Sequence, residues 1–276
     1  MDIKRTAQLI SLDISHNNLR RFEEDIFEDL VNLRSMNISG NPIEEIRGEH
    51  FQPLYQMYNL ANASLYYNAT SILQNLPPLR SLYIELREPV VHSQLHDVDM
   101  THMRQLTITG KNITNISSIA VHALRGYKVH LSIINTSLQE FPSALFTTLG
   151  GVYFLTLSLP HNKIQVIQPF KNTIQPWVNQ HGTILEAIDL TDNPIQCDCS
   201  MSWLTEWIQS SPTNAKELEH VYCKNKPSTE TSLTYVYTKH YANSSLCSIE
   251  NGKNVNAISL FCFTVCTIWV FFTAFV

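Results

Sequence analysis

Six cysteines carry the most reactive side chains of this 276-residue chain, and four of them, Cys197, Cys199, Cys223 and Cys247, follow one another in a single stretch. Thiolates so placed either bind zinc or pair as disulfides. A structural zinc site normally draws on C-x-x-C pairs or on closely spaced histidines. Here Cys197 and Cys199 are one residue apart, and no close His pair completes a site. Disulfides fit better, and they imply an oxidising compartment. Spacing alone leaves three connectivities open. The other two thiols, Cys262 and Cys266, lie four apart in an apolar tail and read as inert.

The eleven histidines and the acidic pairs point to no second chemistry. No H-E-x-x-H, G-x-S-x-G or P-loop pattern occurs. His16 and His161 fall on outward strand positions of the repeat described below, and His50 precedes an apolar Phe51; all three read as solvated or loop side chains. Glu23, Glu24 and Asp25, and likewise Glu44 and Glu45, read as solvated faces near a turn or helix N-terminus. Nothing forms a nucleophile–base pair, so the sequence predicts no catalytic residue, no metal and no cofactor. A formal charge of −5 argues against a phosphate-backbone binder, so no nucleic acid is expected. A hydrophobic share of 44% excludes a disordered chain.

Asparagine offers a different chemistry. N-x-S/T sequons occur at Asn37, Asn62, Asn68, Asn112, Asn115, Asn135 and Asn243, in agreement with N-glycosylation of an exported glycoprotein. Near Met1 no apolar stretch of signal-peptide length occurs, so an exported protein is expected to begin ahead of Met1. At the other end, Ile258 to Val276 carries no charge and no proline. As a helix it would measure about 28 Å, close to the hydrocarbon thickness of a bilayer. A polar spacer, Asn251 to Asn256, precedes it. Small residue, polar spacer and apolar tail make the layout of a GPI-attachment signal, with Asn251 or Gly252 as the attachment residue. The alternative is a true membrane span.

What must position these groups is a repeat. Leu9, Leu12, Ile14, Asn17 and Leu19 occupy positions 1, 4, 6, 9 and 11 of a unit that Phe22, Phe27 and Leu30 complete; Leu33, Met36, Ile38, Asn41 and Ile43 repeat it, followed by Ile46, Phe51 and Leu54. Later units begin near Met57, Leu79, Met103, Lys128, Phe154 and Leu185, at spacings of 24, 24, 22, 24, 25, 26 and 31. Period and spacing together are those of the leucine-rich repeat, L-x-x-L-x-L-x-x-N-x-L. Positions 4 and 6 lie two apart, so both enter the core from one short strand while positions 3, 5 and 7 face outward. The Asn at position 9 turns the chain and can satisfy backbone groups that the turn leaves open. Stacked units predict an α/β solenoid, a horseshoe with a parallel inner sheet. The pattern lapses at Asn62, Arg87 and Lys111, and extra residues from Asn172 to Gly182, with Pro176 and Trp177, read as a bulging convex loop.

After the last unit the chain reads Asn193-Pro194-Ile195-Gln196-Cys197-Asp198-Cys199, then Trp203 and Leu204. This N-P-x-x-C-D-C-x-x-x-W-L run resembles the C-terminal cysteine cap of extracellular leucine-rich repeat proteins. The resemblance implies pairing of Cys197 with Cys223 and of Cys199 with Cys247. A solenoid exposes an apolar end and an open strand edge, and a cap with Trp203, Leu204 and Trp207 on one helical stripe would cover them. No matching cap precedes Leu9, so the first strand is expected to be an edge. The division expected is repeats over 1–192, cap over 193–247, spacer over 248–257 and tail over 258–276.

Recognition is expected on the inner sheet. Position 3 supplies Ser11, Ser35, Asn59, Ser81, Gln105, His130, Thr156 and Ala187; position 5 supplies Asp13, Asn37, Ala61, Tyr83, Thr107, Ser132, Ser158 and Asp189. Tyr83, Glu85, Thr107, His130, Ser132 and Ser158 form the candidate partner-binding face, with Tyr83 and Glu85 as its centre. Solenoid, cap and GPI-type tail together resemble the chaoptin and connectin group of adhesion proteins. That implies a cell-surface protein binding another protein, a second copy included, and reaching the membrane through its tail. The cap equally resembles that of Toll-type receptor ectodomains, and a secreted matrix protein is a third reading.

Overall fold

The computed structural model describes residues 7–224 except 45–46, 66–75, 96–97, 172, 176, 198, 202, 206–207, 209–217 and 219, together with residue 232. Its strands in chain order are β1 (Ser11–Asp13), β2 (Ser35–Asn37), β3 (Asn59–Leu65), β4 (Ser81–Leu86), β5 (Val90–Val91), β6 (Gln105–Thr109), β7 (Asn115–Ile116), β8 (Gly126–Ile134), β9 (Val152–Ser158), β10 (Thr173–Gln175), β11 (Val178–Asn179) and β12 (Ile184–Asp189). One sheet runs β1-β2-β3-β4-β6-β8-β9-β12-β11-β10, and β5 pairs with β7 behind it. From β1 to β12 by way of β9 every neighbouring pair is parallel. Each repeat thus contributes one strand, as the spacing predicts, and the fold is the leucine-rich repeat solenoid.

Period-two patterning places the core. In β4 the side chains of Leu82, Ile84 and Leu86 point inward and are buried, while Ser81, Tyr83 and Glu85 alternate outward. Full burial of such a side chain contributes roughly 1.5–3 kcal/mol, and the same two positions recur in each unit. Behind the sheet, Phe27 and Phe51 are stacked one repeat apart with ring centroids 6.3 Å apart. Further along, Phe141 and Phe146 meet Phe170, whose ring lies edge-on to Trp203 at 5.3 Å. That aromatic spine ties the last repeats to the cap. Among the described residues of the repeats, the convex side is mostly turns, with a 3-10 turn at Gly48–Phe51 and a short α-helix at Ser143–Thr148; a second 3-10 turn, Cys199–Met201, opens the cap.

Several local expectations need correction. The extra residues between Asn172 and Gly182 make no convex bulge among the described positions. Strands β10 and β11 form an antiparallel hairpin that joins β12 and extends the sheet. The hairpin is pinned by Asn179 and Thr183, both fully buried. Asn179 Nδ2 donates to the carbonyls of Phe146 and Leu149 at 2.6 and 2.7 Å, and the Thr183 hydroxyl is 2.9 and 2.7 Å from those of Leu149 and Val152. The lapse at Asn62 coincides with a register shift between Ala61 and Ser64. In β8 and β9 the strands start early, so Lys128 is exposed and Phe154 half-buried, while Val129 and Leu155 fill the core.

His16 and His161 are not on the strands. They sit in the turn that follows, with φ of 52° and 56°, and Gly40 holds the equivalent place with φ of 66°. A Cβ on Gly40 would meet the His16 ring, which would have to shift, and the positive φ favours glycine there. His50 is not solvated either. It is 4% exposed, packs edge-on to Phe22, and its Nδ1 accepts the Arg47 N–H at 2.9 Å.

Candidate recognition surface

Strand pairing aligns the two outward rows residue for residue. Ser11, Ser35, Asn59, Ser81, Gln105, His130, Thr156 and Ala187 are successive partners, as are Asp13, Asn37, Ala61, Tyr83, Thr107, Ser132, Ser158 and Asp189. The expected face therefore exists as a register. Its accessibility is uneven. Tyr83 and Glu85 are half-buried and His130 is exposed. Thr107, Ser132 and Ser158, paired with one another on neighbouring strands, are only 6%, 7% and 9% exposed. These three can offer a partner little contact area.

The ends of the polar row are self-satisfied. Asn37 Nδ2 donates to Asp13 Oδ2 at 3.1 Å, and Asp13 Oδ1 accepts the Ser15 amide at 2.9 Å. Hydrogen bonds from the Ser15 hydroxyl and amide, then that of Asn37, hold the Asp13 carboxyl below its usual range. Asp189 repeats the arrangement with Thr191, and Ser158 donates to Asp189 Oδ2 at 3.0 Å. Outside the sheet, the Thr101 hydroxyl and amide lower the Asp99 carboxyl in the same way.

Of the clustered acids, Glu24 and Glu44 lie in ion pairs. Glu44 meets Arg20 and Arg21 at 3.2 and 3.4 Å, and Glu24 meets Arg47 at 3.7 Å. Among the described residues no group of three or more His, Cys, Asp or Glu is gathered as a metal site would require. Cys197 and Cys223 form a disulfide, as the resemblance implied, and Cys199 is disulfide-bonded as well. Cys247 lies outside the described residues, as do Trp207, Asn68, Asn243, Asn251, Gly252 and the tail Ile258–Val276. Asn62 lies on β3, and Asn112, Asn115 and Asn135 are exposed.

A neighbouring set of side chains lies outside both outward rows. One residue ahead of position 3, the repeats bring Arg34, Tyr58, Arg80 and Arg104 together at the N-terminal rim of the sheet. Beyond them Tyr127 and Tyr153 stand 73% and 52% exposed. The recurrence of Arg or Tyr just before position 3 was the available signal.

A family model described as leucine rich repeat matches residues 4–43. The chain is 23% identical over 236 residues to the CD180 antigen of Mus musculus, covering 82% of this chain and 34% of that protein. It is 22% identical over 255 residues to chaoptin of Drosophila melanogaster, covering 73% and 19%. To Toll-like receptor 3 of Bos taurus it is 25% identical over 191 residues, covering 69% and 19%. The chain thus spans about a fifth to a third of the length of these relatives. Among solved structures, the mouse RP105/MD-1 complex matches with a TM-score of 0.55 at 18% identity, over 79% of this chain and 35% of that one.

Proposed function

Given that the chain is a leucine-rich repeat protein, we propose that it acts at the cell surface as an adhesion or recognition protein, binding another protein through its solenoid. The observation that carries this reading is the unbroken run of eight parallel strands, closed at one end by the Cys197–Cys223 disulfide. Such a stack is a rigid display surface whose outward residues are free to vary without touching the core. The disulfide fits an oxidising, extracellular setting. The likeness to chaoptin, and to RP105 solved in complex with MD-1, supports a protein as the partner. Acids held in ion pairs support a non-enzymatic role.

In this reading the cap extends to Cys247, with Cys199 paired to it, and the sequons carry glycans. The apolar segment Ile258–Val276 brings the protein to the membrane, exchanged for a GPI lipid at Asn251 or Gly252. The likeness to Toll-like receptor 3 favours a second reading, in which the solenoid is part of a transmembrane receptor ectodomain. The two separate on treatment of intact cells displaying the full chain with a phosphatidylinositol-specific phospholipase C. Release into the medium supports the lipid anchor. Retention, with Ile258–Val276 still present by mass, supports the receptor reading.

A further inference from the structure

Backbone hydrogen bonds set the register of the N-terminal rim. The amide of Tyr58 donates to the Arg34 carbonyl at 3.1 Å, that of Arg80 to Tyr58 at 2.7 Å, and that of Arg104 to Arg80 at 2.7 Å. Neighbouring strands lie about 4.8 Å apart, so these four side chains stand beside one another on successive repeats. The Arg80 guanidinium lies over the Tyr58 ring, 5.4 Å from its centroid. Arg20, Arg21 and Arg47 each meet a glutamate elsewhere in the chain, but among the described residues no carboxylate pairs with Arg34, Arg80 or Arg104. Unpaired arginines concentrated on one rim of a chain with net charge −5 make a local field of opposite sign to the whole.

Next to this row the sheet opens into a groove of about 650 Å³, lined among others by Arg80, His102, Arg104, Tyr127, Lys128 and His130. Tyr127 and Tyr153 stack at its margin, 5.6 Å apart and 4° from parallel, with Phe154 edge-on to both. Rings already held in place contribute contact area at low entropic cost, and Tyr and Arg are the side chains that most often carry binding energy. Glycans would leave this side open. Among the described sequons, Asn37, Asn62, Asn112, Asn115 and Asn135 all lie at or beyond position 5 of their repeats, and none lines the groove. A second groove, of about 500 Å³, includes Asn115 in its lining, where a glycan would stand in the way.

We propose that this rim groove docks an acidic segment of a protein partner, its carboxylates held by Arg80 and Arg104 and one apolar or aromatic side chain laid on the Tyr127–Tyr153 pair. The inference rests on the recognition reading above and deepens it by naming the place and the chemistry. Guanidinium groups bind carboxylates as a fork, which suits a peptide chain. A sulfated glycan is the other polyanion to consider. It would call for an unbroken cationic stripe, whereas here Tyr58 interrupts the arginines and Lys128 is already paired with Glu186 at 2.7 Å.

The test displays the full chain on cells behind a secretion signal and pans a library of random twelve-residue peptides against it. Cells lacking the chain serve for subtraction, and the enriched peptides are then bound to the double variant Arg80→Glu with Arg104→Glu and to Tyr127→Ser. Enrichment of Asp/Glu-rich peptides with an aromatic residue, bound at least about tenfold more weakly by either variant, is the expected result. Neutral or basic peptides, no enrichment, or binding indifferent to both variants would overturn the proposal. So would a heparin octasaccharide that binds the same groove while no peptide does. Acidic peptides lost on Tyr83→Ala but not on the rim variants would overturn the rim site alone and leave the recognition reading standing. Mixing cells that display the chain with cells that lack it tests that reading without reference to the groove.

Discussion

The side-chain amide of Asn162 donates at 2.8 Å to the carbonyl of Ile133, one repeat back, and at 2.9 Å to that of Leu159 in its own repeat. Its Oδ1 accepts the Thr136 amide at 2.8 Å and the Thr136 hydroxyl at 2.7 Å. One buried side chain therefore closes its own turn and fastens it to the preceding one. Asn41 and Asn193 bridge adjacent repeats in the same way. Leu65, Arg87, Lys111 and Thr136 hold the position in the repeats between, so among the described residues this asparagine coupling lies toward the two ends of the stack.

In a solenoid whose stability is a sum of neighbour terms, such bonds act on the interface as well as on the turn. Asn162→Ala would leave two backbone carbonyls and one amide without their partner, at a cost of about 2–4 kcal/mol. Asn17 bonds only within its own repeat and is partly exposed, so Asn17→Ala should cost under about 1 kcal/mol. Equilibrium denaturant unfolding of the two variants measures the difference, and equal losses would contradict the interface role.

Asn179 and Thr183 make a similar case for the inserted hairpin. Thr183→Val keeps the shape but removes two buried hydroxyl contacts, and should destabilise by about 2 kcal/mol; Thr183→Ser, which keeps the hydroxyl, should cost less. Thermal unfolding followed by circular dichroism ranks the pair. A Thr183→Val melt indistinguishable from that of the parent would mean that the hairpin is not held this way.

Acid titration checks the two carboxylates that accept bonds from their own turns. Asp13 and Asp99 are held below the ordinary aspartate range, so each favours the folded form above its unfolded pKa and loses that contribution as pH falls through its lowered folded value. Carboxyl NMR shifts should show both titrating below an unperturbed aspartate. Thr101→Val, which removes the hydroxyl but keeps the amide, should raise Asp99 and leave Asp13 where it was.

The Cys197–Cys223 bridge spans 26 residues, and in the chain-entropy account closing such a loop contributes about 3.5 kcal/mol. Cys197→Ser should lower the unfolding midpoint accordingly. A peptide map without reductant should yield Cys197 joined to Cys223, and a second linkage from Cys199 to Cys247. A Cys199 peptide joined to any other cysteine would overturn the second pairing.

The sequence made most of the solenoid legible, because the repeat acts through local periodicity. Leu12 and Ile14, Met36 and Ile38, and their equivalents lie two apart on short strands, and that is enough to assign both outward rows to their observed partners. What was not legible depends on distant contacts. Whether Thr107 and Ser132 can be reached depends on how tightly the sheet curves, which no single repeat specifies. The hairpin at Val178 pairs with Ile184 across a short connection, and its anchors are carbonyls about thirty residues earlier. His50 is buried with the Phe22 ring of the preceding repeat edge-on to it, a contact that no single repeat specifies. The arginine row on the rim is visible in the sequence only when repeats are aligned on position 2, a place the consensus leaves free.

Recognition of another surface protein is the central claim, and mixing cells tests it most directly. One population displays the full chain behind a secretion signal, a second displays it with a different fluorescent label, and a third lacks it. The account predicts clusters containing the displaying cells, formed either with each other or with the third population, abolished by prior trypsin treatment of the partner cells and insensitive to heparinase. Clustering no greater than that of vector-only cells in every mixture, with the chain verified at the surface, would contradict it.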